Sequence, residues 1–143
     1  MALTVTRAVE ADAALAVAIN RLVPQLTSTP VEVSLEDLRA IVDSESSALF
    51  VASDGGAVVG VATLAVYRAP TGLKAWIEDV VVDVEARGRG VGEALTEAAL
   101  AEARSRGLRH VDLTSRPTRE AAHRLYQKLG FSERETSVYR KTL

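Results

Sequence analysis

IEDVVVDVEARGRGVG, at residues 77–92, joins the strongest strand signal in the chain to a glycine-rich turn. The valines at its centre, Val80–Val82, predict a buried strand within residues 74–84. Glycines alternate at positions 88, 90 and 92, so the backbone there can approach a ligand closely, and a helix is expected to begin at about Gly90. The first turn of a helix presents unpaired N–H groups at the positive end of its dipole. The stretch therefore predicts a site for a phosphate or pyrophosphate.

Arg87 and Arg89 flank the first glycine of this turn and add cations that can approach phosphate oxygens from outside. Two common phosphate motifs do not fit the turn. A P-loop requires Gly-x-x-x-x-Gly-Lys-Ser/Thr, and a dinucleotide fingerprint that begins at Gly88 requires glycine where Glu93 stands. A tight strand-to-helix turn with solvated arginines stays open as the alternative to a ligand site.

Upstream of this stretch, the sequence predicts a strand, two helices and a hairpin. Apolar and polar residues alternate over 3–8, as in a half-buried strand. Asp12 can cap a helix with one apolar stripe, and Ser34 begins the pattern of a capping box for a second helix. A turn with two glycines joins Val- and Ala-rich runs, over 48–52 and 57–67, into an antiparallel hairpin.

Downstream, the helix that follows the turn is expected to run to Arg106. Alternation over 109–114 predicts another strand, and Thr118 can cap a last helix. Residues 131–143 are expected to add strand structure. The resulting order, β-α-α-β-β-β-α-β-α-β, predicts a single α/β domain over residues 1–143, with a central mixed sheet flanked by helices.

The composition is typical of a globular protein, since 48% of the 143 residues are hydrophobic and 25% are charged. A formal net charge of -2 argues against a nucleic-acid partner, which would require a basic patch. Cysteine is absent and histidine occurs twice, so thiolate chemistry is excluded and no metal site is expected. Neither a basic leader nor an apolar run of about 18 residues occurs, so a cytoplasmic protein without a membrane partner is expected.

The stretch at 77–92 closely resembles the central motif of the GNAT superfamily of N-acetyltransferases, (Arg/Gln)-x-x-Gly-x-(Gly/Ala), whose positions are here Arg87, Gly90 and Gly92. A second resemblance follows at the separation typical of the family. Residues 121–131, AAHRLYQKLGF, look like its Ala-x-x-Leu-Tyr-x-Lys-x-Gly-Phe ending. Two motifs in the family's order imply a GNAT-like acyl-CoA N-acyltransferase fold, in which a mixed sheet is flanked by about four helices.

The resemblance also implies acetyl-CoA as the cosubstrate and no metal. In the family, pantetheine lies where the central strand and the next strand splay apart, and it pairs with the central strand's backbone. The implied cofactor-binding residues are the valine run and the glycine turn: Val80, Val81, Val82, Arg87, Gly88, Arg89, Gly90, Val91 and Gly92. The chain departs from the family at Arg119, seven residues before Tyr126, where Asn often helps to hold the cofactor. No Asn contact is therefore carried over.

The family's reaction is direct attack of a substrate amine on the acetyl-CoA thioester. Charge builds on the thioester oxygen, and a backbone N–H near Val80 or Val81 is the candidate donor that would stabilise it. Tyr126 matches the family's acid, which protonates the leaving CoA thiolate. Its structural alternative is an aromatic residue on a helix face that closes the core.

The incoming amine must first lose a proton, and the candidate bases are Glu78, Asp79 or water. Adjacent strand residues point to opposite faces of a sheet unless a bulge intervenes, so at most one carboxylate should face the acceptor. Glu78 is preferred, because Ile-Glu-Asp-Val is similar to the sequence in GNAT enzymes that act on glucosamine phosphate. The structural alternative for both acids is ion pairing with Arg68 or Lys74. His123 is expected to be a packing residue.

The expected acceptor is a primary amine of a small molecule. A protein N-terminal or lysine acetyltransferase and a non-catalytic acetyl-CoA-binding module are the alternatives. Acceptor-binding elements in the family correspond to residues 22–34 and 68–74, which contain no decisive motif. Homodimers are common in the family, so a homodimer is compatible with the sequence, although no residue locates an interface.

Overall fold

The computed structural model describes residues 2–143, which form two compact units, residues 2–113 and 114–143. The elements of the first unit are β1 (Leu3–Arg7), α1 (Ala13–Leu22), α2 (Leu35–Asp43), β2 (Ser47–Asp54), β3 (Ala57–Ala69), β4 (Gly72–Val82) and α3 (Val91–Ser105). Short 3-10 turns follow α1 and β4, over Val23–Gln25 and Val84–Ala86. The second unit contains one helix, α4 (Glu120–Lys128). No helix within residues 2–143 is long and apolar enough to cross a membrane.

The sheet of the first unit is antiparallel, with the strand order β1-β2-β3-β4. β2 and β3 form the predicted hairpin, in which Asp54 pairs with Ala57 across two glycines. Gly55 and Gly56 have φ values of 57° and 90°, and only a residue without a side chain adopts such angles readily. The local glycine signal was therefore sufficient to predict this hairpin correctly.

Helices cover both faces of this sheet. Side chains of α1 and α2 form a core cluster with alternate strand residues on one face, and its larger members are Ile19, Leu22, Leu38, Leu49, Val51, Val61 and Val81. On the other face α3 packs against β2, β3 and β4, with Leu95 and Ala99 fully buried. The central strands are thus covered on both sides, as the valine run predicts.

The start of each helix tests the capping predictions. Asp12 caps α1 by accepting the N–H of Leu15 at 2.8 Å, and Ser34 forms a complete capping box with Asp37 at the start of α2. Both predictions are confirmed. The prediction for the last helix is wrong, because Arg119 rather than Thr118 stands at the N-cap of α4 and makes no side-chain cap.

The predicted α/β class is confirmed, but the strand predicted over 109–114 is reduced to a single parallel bridge between Trp76 and Asp112. The Ile77 N–H donates to the Asp112 carbonyl at 2.9 Å, and the Asp112 N–H donates to the Ala75 carbonyl at 3.1 Å. Residues 109 and 110 are exposed, so only a short half-buried run is available to pair. The parallel part of the predicted mixed sheet is therefore this bridge alone.

The strand structure predicted over 131–143 is also absent from the described chain. Residues 132–143 are exposed throughout, and Val138 and Tyr139 retain 75% and 92% of their accessible surface. Most of the other side chains in this segment are charged or polar, so a strand here would have little apolar surface to bury.

Candidate functional site

A bulge interrupts β4 at the start of the valine run. Thr63 pairs with Glu78 and Val61 pairs with Val81, so Asp79 and Val80 together lie opposite one residue of β3. Asp79 has a φ of 51°, the only positive value for a residue other than glycine in the described chain. Such bulges bend a strand and interrupt its ladder of hydrogen bonds. Backbone groups of β4 beside the bulge are thus candidates for pairing with a ligand.

The bulge also decides the direction of the Glu78 side chain. Paired residues of an antiparallel sheet point to the same face, so Glu78 shares the face of Val81, which α1 and α2 cover. Glu78 as a whole residue is exposed, although its carboxyl is partly desolvated by the protein around it. This partial burial and the neighbouring charge of Asp79 raise the pKa of the Glu78 carboxyl above its usual value. A carboxylate with a raised pKa is a stronger base than an ordinary surface glutamate.

The alternative role of the two acids as partners of Arg68 or Lys74 finds no support. The salt bridges found among residues 2–143 include Arg7–Glu102, Arg21–Asp83 and Arg106–Glu102. Neither Glu78 nor Asp79 belongs to one of them. The Glu78 carboxylate is therefore not neutralised by an ion pair within the described chain.

The glycine turn connects the 3-10 turn after β4 to α3. Gly88 and Gly90 have φ values of 77° and 80°, in the left-handed region that favours glycine. Gly90 is the N-cap of α3 and supplies no side-chain cap, whereas Val91 begins the helix and is buried. The predicted start of the helix is confirmed within one residue. The first amides of α3 are consequently left for a ligand or for water.

The two arginines of the turn are both exposed. The Arg87 Nε–H donates to the Val82 carbonyl at 3.4 Å, so its side chain folds back along the loop. No hydrogen bond to another residue of the described chain holds the Arg89 side chain. Both guanidinium groups can therefore reach an anion at the helix start by rotation of their side chains.

Gly60 of β3 contributes to this region, and sequence reasoning did not single it out. A Cβ atom at Gly60 would lie 3.0 Å from the Val81 carbonyl oxygen and 3.1 Å from both Leu95 Cδ1 and Val91 Cγ1. The first turn of α3 is packed this closely on the sheet because β3 has no side chain there. A glycine within a Val-rich strand was the available signal for such a close approach.

Tyr126 lies on α4 in the second unit. Its ring packs edge-on against Phe131 at a centroid distance of 5.6 Å, and the Phe131 N–H donates to the Tyr126 carbonyl at 2.9 Å. Burial raises the pKa of the Tyr126 phenol, and the nearby positive charge of Arg119 opposes this in part. The phenol consequently keeps its proton at neutral pH, as a general acid must.

His123 lies on the same helix. Its ring Nε2 is 2.8 Å from the Arg116 carbonyl, a contact that connects α4 to the turn before it. This local contact agrees with the expected packing role. His110 is exposed and lies between α3 and α4, outside both helices. Within residues 2–143, no three His, Asp or Glu side chains are grouped so that they could hold a metal ion.

A cavity of about 320 Å³ lies in the segment between α1 and α2, within the range expected to bind the acceptor. It is lined by Val23, Pro24 and residues 27–32, which include three hydroxyl side chains and the carboxylate of Glu32. Asn20 fixes the far end of this segment, because its Nδ2 donates to the Val33 carbonyl at 2.9 Å and its Oδ1 accepts the Val33 N–H at 2.8 Å. The cavity thus combines apolar surface with groups that can bind an amine.

The chain is similar to known proteins in both sequence and structure. The family model described as Acetyltransferase (GNAT) family matches residues 19–131. A mycothiol acetyltransferase of Thermobispora bispora is 38% identical over 115 residues, which are 76% of this chain and 39% of that protein. The chain thus spans about two fifths of the length of this curated relative.

Two solved structures share the fold over their whole length. A putative acetyltransferase from Agrobacterium tumefaciens has a TM-score of 0.85 at 23% identity, covering 97% of this chain and 99% of that one. AAC(6')-Iy, in complex with the bisubstrate analogue CoA-S-monomethyl-acetylneamine, has a TM-score of 0.82 at 21% identity, covering 100% and 99%. The family model includes both the glycine turn and the segment around Tyr126. The chain belongs to the GNAT family of acetyltransferases.

Proposed function

We propose that this chain is an acetyl-CoA-dependent N-acetyltransferase that acts on a primary amine of a small molecule. The observation that carries the proposal is the start of α3, where Gly90 leaves the first helical amides without a side-chain cap directly after a bulged strand. This arrangement fits a CoA pyrophosphate, because several N–H donors and a helix dipole converge on one anion. The curated mycothiol acetyltransferase and the solved AAC(6')-Iy complex support an acetyl group and an amine as reactants.

The residues proposed to hold acetyl-CoA are those of the valine run and the glycine turn. The amides of residues 88–92 would bind the pyrophosphate, with Arg87 and Arg89 as mobile cations beside them. Backbone groups of Val80 and Val82 would pair with the pantetheine arm at the bulge, while the side chain of Val81 stays in the core. Bound there, acetyl-CoA supplies the thioester that accepts the amine.

Glu78 is the proposed base. A primary alkylamine is mostly protonated at neutral pH, since its pKa is about 10, and must lose a proton before its nitrogen can attack. The Glu78 carboxylate lies on the sheet face covered by α1 and α2, the side on which the acceptor cavity segment begins. Its raised pKa favours uptake of that proton. A backbone N–H at Val80 or Val81 would stabilise the negative charge that forms on the thioester oxygen.

Tyr126 is the proposed acid, and its raised pKa supports this role. As the new C–N bond forms and the C–S bond breaks, the phenol would transfer its proton to the departing sulfur. Tyr126→Phe removes this proton and leaves the ring. We expect kcat to fall by roughly 100-fold, the usual contribution of a general acid, while the Kd of acetyl-CoA stays the same. An unchanged kcat would sink the assignment.

Replacement of Glu78 by glutamine tests the base. The wild-type rate should rise with pH as Glu78 ionises, with a midpoint above the ordinary glutamate value because its pKa is raised. Glu78→Gln should lower kcat and remove this limb from the pH profile. Asp79→Asn is the companion variant: it should keep the limb, with its midpoint closer to the ordinary glutamate value, because the neighbouring charge that raises the Glu78 pKa is removed. A full rate across the pH range in Glu78→Gln would leave water or Asp79 as the base.

The reaction as a whole is tested by measuring acetyl-CoA binding and then CoA release against a panel of amino sugars, alkylamines, aminoglycosides and peptides. Release with a small amine supports the proposal. Release only with peptide N-termini or lysine side chains would replace the small molecule by a protein acceptor. Acetyl-CoA binding without release in any mixture would identify a non-catalytic binding module.

A further inference from the structure

The end of α1 and the 3-10 turn after it are hydrogen-bonded to the segment that precedes the glycine turn. The Arg21 guanidinium forms an ion pair with the Asp83 carboxylate and also donates from Nη2 to the Val58 carbonyl at 2.7 Å. The Gln25 Oε1 accepts the N–H of Val84 at 2.9 Å. Two side chains from one helix and its extension thus hold consecutive residues of the loop between β4 and α3.

Asp83 also stabilises the loop through hydrogen bonds of its own backbone and side chain. Its N–H donates to the Val59 carbonyl at 2.8 Å, and its Oδ1 accepts the N–H of Glu85 at 3.3 Å, which caps the 3-10 turn over Val84–Ala86. The Glu85 N–H and the Arg21 guanidinium hold the pKa of the Asp83 carboxyl below its usual range. Asp83 is therefore ionised at neutral pH, and the Arg21 ion pair persists there.

The loop needs such fixation because the turn after it is built from glycines. Gly88 and Gly90 have no side chains with which to restrict their backbones, and a Cβ atom at either position would meet nothing within 4 Å. On the α3 side, the buried Val91 fixes the turn. On the β4 side, Arg21 and Gln25 reach Asp83 and Val84 from α1 and its 3-10 extension with side-chain hydrogen bonds.

We propose that Arg21 and Gln25 are positioning residues for the phosphate-binding turn, holding residues 83–86 in place from the α1 side so that the amides of residues 88–92 converge on one anion. This inference rests on the proposed function, since it assumes that the turn binds acetyl-CoA. Gln25 also shares its 3-10 turn with Val23 and Pro24, which line the acceptor cavity. The 3-10 turn over Val23–Gln25 therefore contacts both the cavity and the loop between β4 and α3, which we call the donor loop.

The test compares Arg21→Ala, Gln25→Ala and the double variant with the wild type. We expect the Kd and KM of acetyl-CoA to rise by roughly 10-fold in the double variant, because small misplacements of binding groups have effects of this size or larger. The kcat at saturating acetyl-CoA should change much less. Hydrogen exchange should speed up at the amides of residues 84–92, while amides in β2 and β3 exchange as before. The Kd of acetyl-CoA for Arg21→Lys should fall between the values for the wild type and Arg21→Ala, since an ammonium cannot span both of the Arg21 acceptors.

Arg39→Ala is the control, because Arg39 is an exposed arginine of α2 that makes none of these contacts. It should bind acetyl-CoA as the wild type does. Unchanged Kd and unchanged exchange at residues 84–92 in the double variant would overturn the proposal. Uniformly faster exchange across the sheet would overturn it as well, since it would indicate general destabilisation. If the wild type did not bind acetyl-CoA, the proposed function would fail, and the exchange rates would still decide whether these residues hold the loop.

Discussion

α2 and α3 solve the same problem at their N-termini in opposite ways. At the start of α2, the Ser34 hydroxyl accepts the Asp37 N–H at 3.0 Å and the Asp37 carboxylate accepts the Ser34 N–H at 3.1 Å. At the start of α3, Gly90 offers no side chain, and two of the preceding three residues are arginines. α2 satisfies the amides of Ser34 and Asp37 with its own side chains, whereas α3 leaves its first amides to a ligand or to water. The difference teaches that the proposed binding site consists as much of the missing cap as of the residues present.

The sharpest way to break this comparison is to give α3 a cap of its own. Gly90→Asp would place a carboxylate where the pyrophosphate is proposed to bind, and Asp tolerates the left-handed backbone better than most residues. We expect the Kd of acetyl-CoA to rise by about 100-fold, which is about 2.7 kcal/mol. Calorimetric titration measures this.

Gly90→Asn is the matched control, because it adds a side chain of the same shape without a charge. Its Kd should rise clearly less than that of Gly90→Asp. Equal losses in the two variants would mean that shape rather than charge blocks the site. Unchanged binding in both would show that the start of α3 does not bind the phosphates.

The packing beneath α3 offers the second test. Gly60→Ala should reduce the free energy of unfolding by about 2 kcal/mol, a typical cost of overpacking, because the added methyl meets Val81, Leu95 and Val91 at 3.1 Å or less. Denaturant unfolding measures the loss. Gly60→Ala with Val91→Ala should cost less than the sum of the single variants, since one of the clashing groups is gone. Strict additivity would contradict the close approach.

Removal of one cation should have a smaller effect. Arg89→Ala is expected to raise the Kd of acetyl-CoA by roughly 10-fold at low salt, because one charge-assisted contact with phosphate is lost. The difference should shrink as ionic strength increases, since the side chain is exposed and its charge is screened. A Kd that is equal to the wild-type value at low salt would place this arginine outside the site.

The smallest effect is expected at the helix that caps itself. Ser34→Ala should reduce the free energy of unfolding by about 1 kcal/mol and leave acetyl-CoA binding unchanged. The backbone N–H of Ser34, and next its hydroxyl, lower the pKa of Asp37, so the stability that Asp37 contributes is present above its unfolded pKa and is lost as the pH falls through the lowered value. The variant keeps the N–H of residue 34, so acid unfolding curves should show only a partial loss of this dependence, the part that the hydroxyl supplies. Weaker acetyl-CoA binding in Ser34→Ala would contradict the separation between the two helix starts.

The sequence predicted those parts of the fold whose signals are local. The two glycines of the hairpin, Asp12, Ser34 and the start of α3 all act within a few residues of their own position. The glycine turn and the family resemblance together located the proposed donor site. The direction of Glu78 could not be read in the same way, because it depends on a bulge that forms only when β4 pairs with β3.

The misses at Gly60 and in the two predicted strands have a common cause in contacts between distant segments, and the miss at Thr118 is a separate case. Gly60 matters because α3 lies on it, and no window around residue 60 contains that helix. Residues 109–114 had suitable alternation, but that strand and the one predicted over 131–143 also required an edge to pair with and a surface to cover. Thr118 had the right residue type for a cap, and the helix began at Glu120 instead.

The two hydrogen bonds between Asn20 and Val33 have a consequence for how this protein can change its substrate. These two bonds hold the end of the cavity segment against α1. At the beginning of the segment, Gln25 is hydrogen-bonded to Val84. Residues 27–32 between these points are held at both ends by side chains outside that range. Substitutions or insertions there would alter the cavity while the helix and the donor loop stay in place. If the cavity binds the acceptor as proposed, such changes would alter acceptor preference and leave the proposed acetyl-CoA site intact.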